Sequence, residues 1–389
     1  MMTIYKLNVQ QRIDSIDTIE TSEANKAYIR DFTDCCYTEG LTDHRVLKYL
    51  STLRQIAQSI GCDFDKVTEK ELKKLVSELE RSAKSDWTKH DYKVTLKKFF
   101  KWMNNGEEHP ATKFIKTTMK HKNKKLPDDL LTEDDVLKMI NESMNSRDKA
   151  ILAMLWDIGA RIGEIGSLQI KHVKFDEHGA VILVDGKTGP RRVRAVWSVG
   201  YLMNWLEEHP CSTDPNAPLW INFSQRQKSI EILRYEAIVM QIKRMAKRVG
   251  INKKITPHLF RHSRATFMAN HLTEAQMNEY FGWVQGSDMP SIYVHLSGRD
   301  VDEAVLKANG IEIKEEEHKP KTTVCPRCKT INTPNNMFCF RCGAVLNLKT
   351  AIELEEKAKP LDNNLNSLLE SKINELVEAR VNEMLSKIT

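Results

Sequence analysis

One short β-rich run interrupts a sequence whose hydrophobic pattern is otherwise helical. AVILVDG at 180–186 and RRVRAVW at 191–197 carry β-branched residues, and the segment KTGP between them has the composition of a turn. Two such arms around a Gly-Pro tip predict a β-hairpin. Helical periodicity surrounds the hairpin from about residue 127 to 311, so we expect a mostly helical domain with one small sheet in that part of the chain.

A separate, wholly helical domain is predicted ahead of it. Apolar residues recur there at helical spacing, Ser, Thr or Asp residues begin the periodic segments, and Gly61 follows the second segment as a stop signal. The stripe that runs from Leu47 to Ile60 would face the core of this domain. The expected helices span roughly residues 22–37, 42–60, 68–81 and 86–103.

Changes in composition divide the rest of the chain. A basic stretch that is poor in large apolar residues ends at Pro127 and has the character of a linker. Beyond Pro360 an apolar stripe at helical spacing predicts one more helix, which would pack either on a second copy of the chain or within its own chain. The predicted segments are an N-terminal extension at 1–20, the helical domain at 21–110, the linker at 111–126, the mixed domain at 127–311, a cysteine-rich segment at 320–347 and the C-terminal amphipathic helix at 350–389.

The distribution of charge is more informative than its total. The net charge of +6 averages unlike regions. Between Arg81 and Lys125 the chain carries thirteen Lys or Arg and four acids, and between Gln241 and Arg264 it carries eight basic residues and no acid. The stretch from Ala351 onward instead holds eight acids against five basic residues. Two separate basic regions favour contact with nucleic acid over ordinary solvated helix faces.

Six residues of the mixed domain are candidates for chemistry. Arg161 follows Gly159 at a helix start, where a guanidinium can join backbone N–H groups around an oxyanion. His258 and Arg261 lie three residues apart and so project from one face of a helical turn. The candidates are Arg161, Lys187 at the hairpin tip, His258, Arg261, Trp283 and Tyr293.

In their order and spacing these residues resemble the tyrosine recombinase, or phage integrase, family. The resemblance rests on the Gly-x-Arg-x-x-Glu context at 159–164, the hairpin Lys, the His-x-x-Arg-His pattern at 258–262 and the Gly-Trp step before Tyr293. It implies a mainly α fold with a small β-sheet, in which an all-helical core-binding (SAM-like) domain precedes a mixed α+β catalytic domain. It also implies a site-specific DNA recombinase that acts on double-stranded DNA, as a tetramer on two sites.

The resemblance assigns a role to each candidate, and the chemistry of the side chains suits these roles. Tyr293 would attack a phosphodiester and form a 3′-phosphotyrosine, with Arg161 and Arg261 binding the non-bridging oxygens. His258 would handle the Tyr proton, and Lys187 would protonate the departing 5′-oxygen. The two Arg and the Lys would replace a metal at the reacting phosphate. No ATP is expected, because the phosphotyrosine conserves the energy of the phosphodiester.

One departure from the family pattern is Trp283, which stands where the family more often has His. An indole can donate a hydrogen bond to the phosphate but cannot shuttle a proton. As neighbours of the site, Glu164 and His262 are expected to orient Arg161 and His258. Four other arginines are expected to make generic phosphate contacts at most. These are Arg191, Arg192, Arg194 and Arg264.

Four cysteines near the C-terminus predict a zinc site. Cys325 and Cys328 form one Cys-x-x-Cys pair, and Cys339 and Cys342 form a second pair after ten intervening residues. Four thiolates at this spacing suit a tetrahedral, structural Zn²⁺, and so short a segment could not form a core without the metal. A zinc ribbon behind such a domain resembles archaeal members of the family.

Two other functions are compatible with the sequence. A type IB topoisomerase resembles the same catalytic set, and a DNA-binding regulator could keep the fold without the activity. Cysteine usage favours a reducing compartment, and neither an apolar leader nor a spanning segment is evident. We therefore expect a cytoplasmic protein without membrane contact.

Overall fold

The chain divides into two units in the structure, which is a computed structural model. One unit is Tyr5–Lys124, and the other comprises Met1–Ile4 together with Lys125–Thr389. In the described ranges no helix is both long and apolar enough to cross a lipid bilayer. The structure describes residues 3–5, 7–118, 129–223, 230–297, 305–306, 308–310, 323–332, 339, 344–346 and 372.

The first unit is built from helices. Ser22 begins one of them, since its side chain accepts the N–H of Asn25, and Gly61 ends another in the left-handed conformation with φ of +72°. Phe99 lies at the centre of the core and meets Phe32 and Phe64 edge to face. The helices are α1 (Val9–Asp14), α2 (Glu23–Thr38), α3 (Asp43–Ile60), α4 (Glu69–Arg81) and α5 (Asp86–Met103). All but α1 match the periodic segments of the sequence to within one residue.

The second unit combines helices with one three-stranded sheet. Its helices are α6 (Glu133–Glu142), α7 (Ser146–Ile158), α8 (Ile162–Gly166), α9 (Val199–Glu208), α10 (Tyr235–Arg248), α11 (Pro257–Met268), α12 (Glu274–Phe281) and α13 (Met289–Ser297). Its strands are β1 (Val173–Asp176), β2 (Gly179–Gly186) and β3 (Gly189–Ala195), which pair antiparallel in that order. The predicted fold class, mainly α with a small sheet, is confirmed.

The register of the hairpin corrects its predicted turn. Gly186 pairs with Gly189, so the turn consists of Lys187 and Thr188 alone, and Pro190 is a strand residue opposite Asp185. Proline is tolerated there because β3 is an edge strand. In an edge strand every second backbone N–H points away from the neighbouring strand, so a residue that lacks an N–H can take such a position. Strand β1 was not predicted, since four mostly exposed residues leave little hydrophobic pattern.

Helix α7 lies at the centre of the second unit. It is buried along nearly its whole length and packs against α6, α9 and α11 as well as against β3. A helix covered on all sides has no polar face, which explains the nearly continuous apolar run at 150–156. This central helix leads directly into α8 and therefore fixes the position of Arg161.

The helical pattern expected on both sides of the hairpin is wrong for the described part of 209–234. The chain there forms isolated β-bridges, between Gln169 and Pro218 and between Ile221 and Ile232. Several prolines in the segment HPCSTDPNAP remove the N–H groups that a helix would need. Further on, β4 (Thr323–Val324) pairs antiparallel with β5 (Ile331–Asn332). Apart from Lys372, the helix predicted at 350–389 lies outside the described residues.

Candidate active site

Arg161 is held at the junction of two helices. Gly159 ends α7 with φ of +56°, a conformation that glycine adopts without strain. The chain then turns so that Arg161 becomes the N-cap residue of α8, and its backbone N–H donates to Oε2 of Glu164 at 2.8 Å. The guanidinium donates to Oε1 of the same carboxylate, also at 2.8 Å. Because the Arg161 side chain is 29% exposed, part of the guanidinium remains open to a ligand.

One buried carboxylate, that of Glu164, binds two arginines. Besides Arg161 it accepts two hydrogen bonds from Arg191 of β3, Nη1 to Oε1 at 3.1 Å and Nη2 to Oε2 at 2.8 Å. Burial alone would raise the pKa of Glu164, but the hydrogen bonds and charges of Arg191 and Arg161 hold it below its ordinary value. The carboxylate is therefore ionised at neutral pH and fixes a guanidinium from the hairpin beside one from α8.

The tip of the hairpin is fastened to the site. A Cβ at Gly186 would overlap an oxygen of Glu164, so only glycine allows this approach. Thr188 Oγ1 donates to the carbonyl of Gly282 at 3.2 Å. Lys187 lies between these two anchors with an exposed side chain, and its ammonium has no hydrogen bond or ion pair within the described part of the chain. The backbone of the tip is thus fixed while the Lys187 side chain can turn.

Helix α11 carries the His-x-x-Arg-His pattern in its first turns. Thr256 caps the helix through its side chain, and Pro257 takes the first helical position, where a missing N–H costs no hydrogen bond. The following side chains differ in burial. His258 is exposed, Arg261 is buried and His262 is intermediate.

Arg261 is the most deeply buried cation of the site. It donates Nη1 to the carbonyl of Gly159 at 3.1 Å and Nη2 to the carbonyl of Phe281 at 2.6 Å. Burial and the nearby charge of Arg161 lower the pKa of Arg261 to about 10. The guanidinium therefore remains a cation at neutral pH, and it is held rigidly by two carbonyls.

Three successive backbone carbonyls at the end of α12, those of residues 280–282, each accept a hydrogen bond from a different arginine. In chain order the donors are Arg191 Nε at 2.9 Å, Arg261 Nη2 at 2.6 Å and Arg161 Nη2 at 3.1 Å. We call this feature the carbonyl row. A helix C-terminus has unpaired carbonyls and partial negative charge, so it offsets part of the repulsion among three cations. Gly282 ends the helix with φ of +59°, and a Cβ there would lie 2.7 Å from Nη1 of Arg191.

Tyr293 is packed in a stack of aromatic rings. Its ring lies nearly parallel to that of Trp283, at a centroid distance of 5.4 Å and an angle of 7°, and Trp283 stacks in turn on Phe281 at 5.0 Å. The Arg261 guanidinium lies over Phe281 and Trp283, 5.2 and 5.4 Å from the ring centroids. Tyr293 is 2% exposed. Burial raises the pKa of Tyr293 to about 12, and the charge of Arg261 only partly opposes this.

The hydroxyl of Tyr293 meets His262. Oη and Nδ1 are 2.7 Å apart, a contact created by the packing of α13 on α11. The family resemblance assigns the Tyr proton to His258, whose ring centroid lies 6.0 Å from that of His262. One signal was available in the sequence, because His258 and His262 are four residues apart and share a helix face. The docking of α13 decides which of the two rings reaches the hydroxyl.

The four arginines that were expected to make generic phosphate contacts at most differ in their surroundings, and Arg191 and Arg264 are not at the surface. Both are largely buried and bind carboxylates of their own unit, Arg191 as described and Arg264 through Nη2 to Oδ1 of Asp157 at 3.4 Å. Arg194 on the exposed face of the sheet binds Asp176 at 2.6 Å. Arg192 is exposed and forms no ion pair among the described residues. Sequence alone could not reveal these pairs, because each joins distant segments.

Three cysteines near the C-terminus form a cluster. The Sγ atoms of Cys325, Cys328 and Cys339 all lie within 4.8 Å of one another, and those of Cys328 and Cys339 are 3.5 Å apart. Tetrahedral Zn–S bonds of about 2.3 Å separate the sulfurs by roughly 3.8 Å. The three thiols therefore fit the ligand set of a metal ion. Cys342 lies outside the described residues.

Comparison with known proteins finds a matching family and a set of similar proteins. Residues 129–299, which include all six candidate residues, match the phage integrase family. The tyrosine recombinase XerA of Pyrococcus horikoshii is 29% identical over 248 residues, which cover 63% of this chain and 82% of that protein.

Solved structures share the fold at lower identity. The XerH site-specific recombinase bound to palindromic difH substrate, in a post-cleavage complex, has a TM-score of 0.56 and 17% identity over 77% of this chain and 94% of that chain. A lambda integrase tetramer bound to a Holliday junction has a TM-score of 0.53 and 14% identity over 72% of this chain and 82% of that chain. The solved structures share the fold. The family match over the part of the chain that holds Tyr293 and its arginines, together with the similarity to XerA, identifies residues 129–299 as a domain of the tyrosine recombinase, or phage integrase, family.

Proposed function

We propose that this protein is a site-specific DNA recombinase, which cleaves and rejoins DNA strands through a 3′-phosphotyrosine intermediate without ATP. One observation carries the proposal. Arg161 and Arg261 are held on adjacent carbonyls of the carbonyl row, and Trp283 contacts both the Arg261 guanidinium and the ring of Tyr293. A nucleophile and two phosphate-binding cations therefore belong to one cluster.

In the proposed reaction Arg161 and Arg261 bind the non-bridging oxygens of one phosphodiester. Oη of Tyr293 attacks the phosphorus and gives up its proton to one of the two histidines of α11, His258 or His262. The Oη–P bond forms, and the P–O5′ bond breaks. Lys187 gives a proton to the departing 5′-oxygen, a task that suits an unheld ammonium on a fixed turn. Fixed guanidinium groups stabilise the charge that develops on the phosphoryl oxygens, without reorganising during the reaction. A second 5′-hydroxyl reseals the strand by the reverse steps.

Because Tyr293 is buried, strand cleavage needs a conformational change. A side chain that is 2% exposed cannot reach a DNA phosphate in the arrangement described above. Helix α13 must therefore shift when DNA binds, so that Oη comes within bonding distance of the phosphorus. The open part of the Arg161 guanidinium provides the first contact for the phosphate.

Double-stranded DNA is the proposed substrate, and unpaired basic side chains support this. In the first unit Lys93, Lys97 and Lys98 are already paired with acids. Other cations of that unit form no ion pair among the described residues. They are Arg81, Lys84, Lys89, Lys101, Lys113 and Lys116. In the second unit α10 adds the exposed Lys243, Arg244 and Lys247. These side chains remain available for phosphate contacts.

We further propose that four copies act on two DNA sites, and that the protein works in the cytoplasm, where its thiols stay reduced. The lambda integrase tetramer on a Holliday junction supports the first part of this proposal. The similarity to XerA of Pyrococcus horikoshii, an archaeon, supports an archaeal type of enzyme.

The cysteine cluster is proposed to hold a structural Zn²⁺. Its three described sulfurs fit the tetrahedral geometry, and Cys342 would supply the fourth thiolate by its Cys-x-x-Cys spacing to Cys339. Two hydrogen bonds support the arrangement, because Cys339 Sγ accepts from Asn332 Nδ2 at 3.7 Å and Cys325 Sγ accepts from the Cys328 N–H at 3.5 Å. Such bonds orient thiolate ligands.

The test of the proposed function is trapping of a covalent protein–DNA adduct. The full chain is incubated with a pool of nicked duplexes of randomised sequence, in which the nick lets the 5′-hydroxyl fragment diffuse away and so traps the cleaved state. Adducts are isolated under denaturing conditions and their DNA is sequenced. We expect the wild-type protein to enrich one sequence, Tyr293→Phe to give no adduct, and Tyr201→Phe, at a buried Tyr elsewhere in the unit, to behave as wild type.

The same experiment separates the alternatives. An adduct from Tyr293→Phe would show that another residue is the nucleophile. A folded wild-type protein that binds DNA without forming adducts would be a regulator. Supercoil relaxation on a plasmid without exchange between two copies of the enriched sequence would identify a type IB topoisomerase.

A further inference from the structure

The hairpin and Arg161 share two hydrogen-bond acceptors. The carboxylate of Glu164 accepts from Arg161 Nη1 at 2.8 Å and from the two Nη atoms of Arg191 at 3.1 and 2.8 Å. The carbonyl oxygen of Gly282 accepts from Arg161 Nη2 at 3.1 Å and from Thr188 Oγ1 at 3.2 Å. Two residues of the hairpin are therefore held against the same groups as the guanidinium that is proposed to bind the phosphate.

Arg191 is the stronger of these two hairpin anchors. Its side chain is 8% exposed, and all three nitrogens of the guanidinium donate, two of them to Glu164 and Nε to the carbonyl of Tyr280 at 2.9 Å. Space on either side is tight, since a Cβ at Gly186 would overlap the Glu164 carboxylate and a Cβ at Gly282 would lie 2.7 Å from Nη1 of Arg191. The buried fork therefore fixes the position of β3 against α8 and against the end of α12.

Lys187 lies among these anchors. From residue 186 to residue 191 no position is more than one residue away from a contact with α8 or with the end of α12, through Gly186, Thr188 and Arg191. The side chain of Lys187 has a fixed reach, so the position of the turn decides which oxygen of a bound phosphate its ammonium can meet. None of these contacts involves α13, so the shift of α13 that strand cleavage requires does not have to break them.

We propose that Arg191 and Thr188 are positioning residues for Lys187, and that they hold its ammonium at the 5′-oxygen of the phosphate bound by Arg161; this inference rests on the proposed function. As the P–O5′ bond breaks, the ammonium gives one proton to the 5′-oxygen, which leaves a 5′-hydroxyl and a neutral amine. When the strand is resealed, the hydroxyl attacks the phosphorus and returns that proton to the amine. A general acid must lie within about 3 Å of the oxygen that it protonates, and a misplacement of about 1 Å can slow a reaction about 100-fold.

The experiment compares two substrates that carry the sequence enriched from the randomised pool, one with oxygen and one with sulfur at the 5′-bridging position. Sulfur leaves without needing a proton, so the ratio of the adduct-formation rates, sulfur over oxygen, rises whenever delivery of the proton fails. Lys187→Ala should raise this ratio at least about 100-fold over wild type, the size of general acid catalysis. Weaker phosphate binding or lower stability slows both substrates alike and leaves the ratio unchanged.

Two variants test the positioning role. Arg191→Lys keeps a cation beside Glu164 but lacks the planar fork that spans this carboxylate and the Tyr280 carbonyl, so we expect the ratio to rise at least about 10-fold. Thr188→Val removes one hydrogen bond at an exposed position, a change that the fold tolerates, and should raise the ratio about 3-fold or more. Thr188→Ser keeps the hydroxyl and should return the ratio to the wild-type value.

The matched control is Arg147→Lys. Arg147 is also buried, and it donates to one carboxylate, that of Asp148, and to one backbone carbonyl, that of Ile221. It lies in the first turn of α7, whereas Arg161 follows the last turn of that helix. Whatever stability this variant loses, its ratio of sulfur to oxygen rates should equal that of the wild type.

The outcomes separate failure of the inference from failure of the proposed function. If Arg191→Lys and Thr188→Val both keep the wild-type ratio while Lys187→Ala raises it, the inference is wrong and the proposed function stands. An unchanged ratio in Lys187→Ala would also overturn the inference, because another group would then protonate the leaving oxygen. Absence of adducts from the wild-type protein on both substrates would instead refute the proposed function. If Arg191→Lys does not fold, the ratio of Thr188→Val decides alone.

Discussion

The carboxylate of Glu164 lies 2.8 Å from Nη2 of Arg191 and simultaneously binds Arg161. Arg191 comes from the hairpin and Arg161 from the start of α8, so Glu164 ties the strand that follows Lys187 to the helix that carries a phosphate-binding cation. These contacts are those expected of a carboxylate that orients Arg161, which is the role predicted for Glu164 from the sequence. The second arginine on the same carboxylate links the hairpin to the site.

Glu164→Gln should destabilise the second unit. A neutral amide cannot compensate the buried guanidinium of Arg191 and the partly exposed guanidinium of Arg161. Breaking a buried ion pair costs about 3–5 kcal/mol. We expect urea denaturation to show a loss of about 3 kcal/mol in the free energy of unfolding. Asp176→Asn is the control, because its pair with Arg194 is about 40% exposed and should contribute less than about 1 kcal/mol. Equal effects of the two changes would contradict a structural role for Glu164.

Acid should remove the stabilisation that Glu164 provides. The pKa of Glu164 is lowered by folding, so its contribution is fully present above the ordinary Glu value of about 4.3 and is lost as the pH falls through the folded-state value. We expect the free energy of unfolding of the wild-type protein to fall more steeply below about pH 4 than that of Glu164→Gln. Denaturant titrations at a series of acidic pH values measure this difference, and parallel curves for the two proteins would count against it.

Gly282→Ala should slow strand cleavage by displacing Arg191 and disturbing the carbonyl row. The new Cβ would lie 2.7 Å from Nη1 of Arg191, and residue 282 has a left-handed backbone that costs a non-glycine residue about 1 kcal/mol or more. Gly286→Ala provides the control, since its φ of +76° imposes a similar strain but its Cβ would meet no atom within 4 Å. Both variants should lose similar stability, while adduct formation should slow about 10-fold or more in Gly282→Ala alone. A comparable loss of activity in both would attribute the effect to backbone strain.

Removal of zinc from the cysteine cluster should leave the strand-cleavage reaction intact. We expect metal analysis to find one Zn²⁺ per chain, and Cys339→Ser to lose it because a hydroxyl is a poor ligand beside thiolates. Adduct formation should persist after chelation, since the proposed reaction uses Arg161, Arg261 and Lys187 at the phosphate. Loss of cleavage by folded protein on chelation, reversed by Mg²⁺ as well as by Zn²⁺, would show that a metal takes part in the reaction.

Much of the architecture could be predicted from local pattern. The four helices at 23–103 follow from apolar periodicity and from caps such as Ser22 and Gly61, and the hairpin follows from its β-branched arms. The prediction failed where pattern is weak or where a local rule was overridden. Strand β1 is too short and exposed to show alternation, and the edge position of β3 allows Pro190 to remain in a strand.

The sequence by itself determined which chemical groups are present and on which elements they lie: the arginines at helix starts, the lysine at a hairpin tip and two histidines on one face of α11. The tertiary structure alone decided which groups meet. Glu164 meets Arg191 across 27 residues and His262 meets Tyr293 across 31. Hydrophobic periodicity fixes the face of a helix that is buried, but these contacts depend on where α12 and α13 end against α11 and the hairpin. Those positions are set by the packing of side chains from distant segments, on which local spacing carries no information.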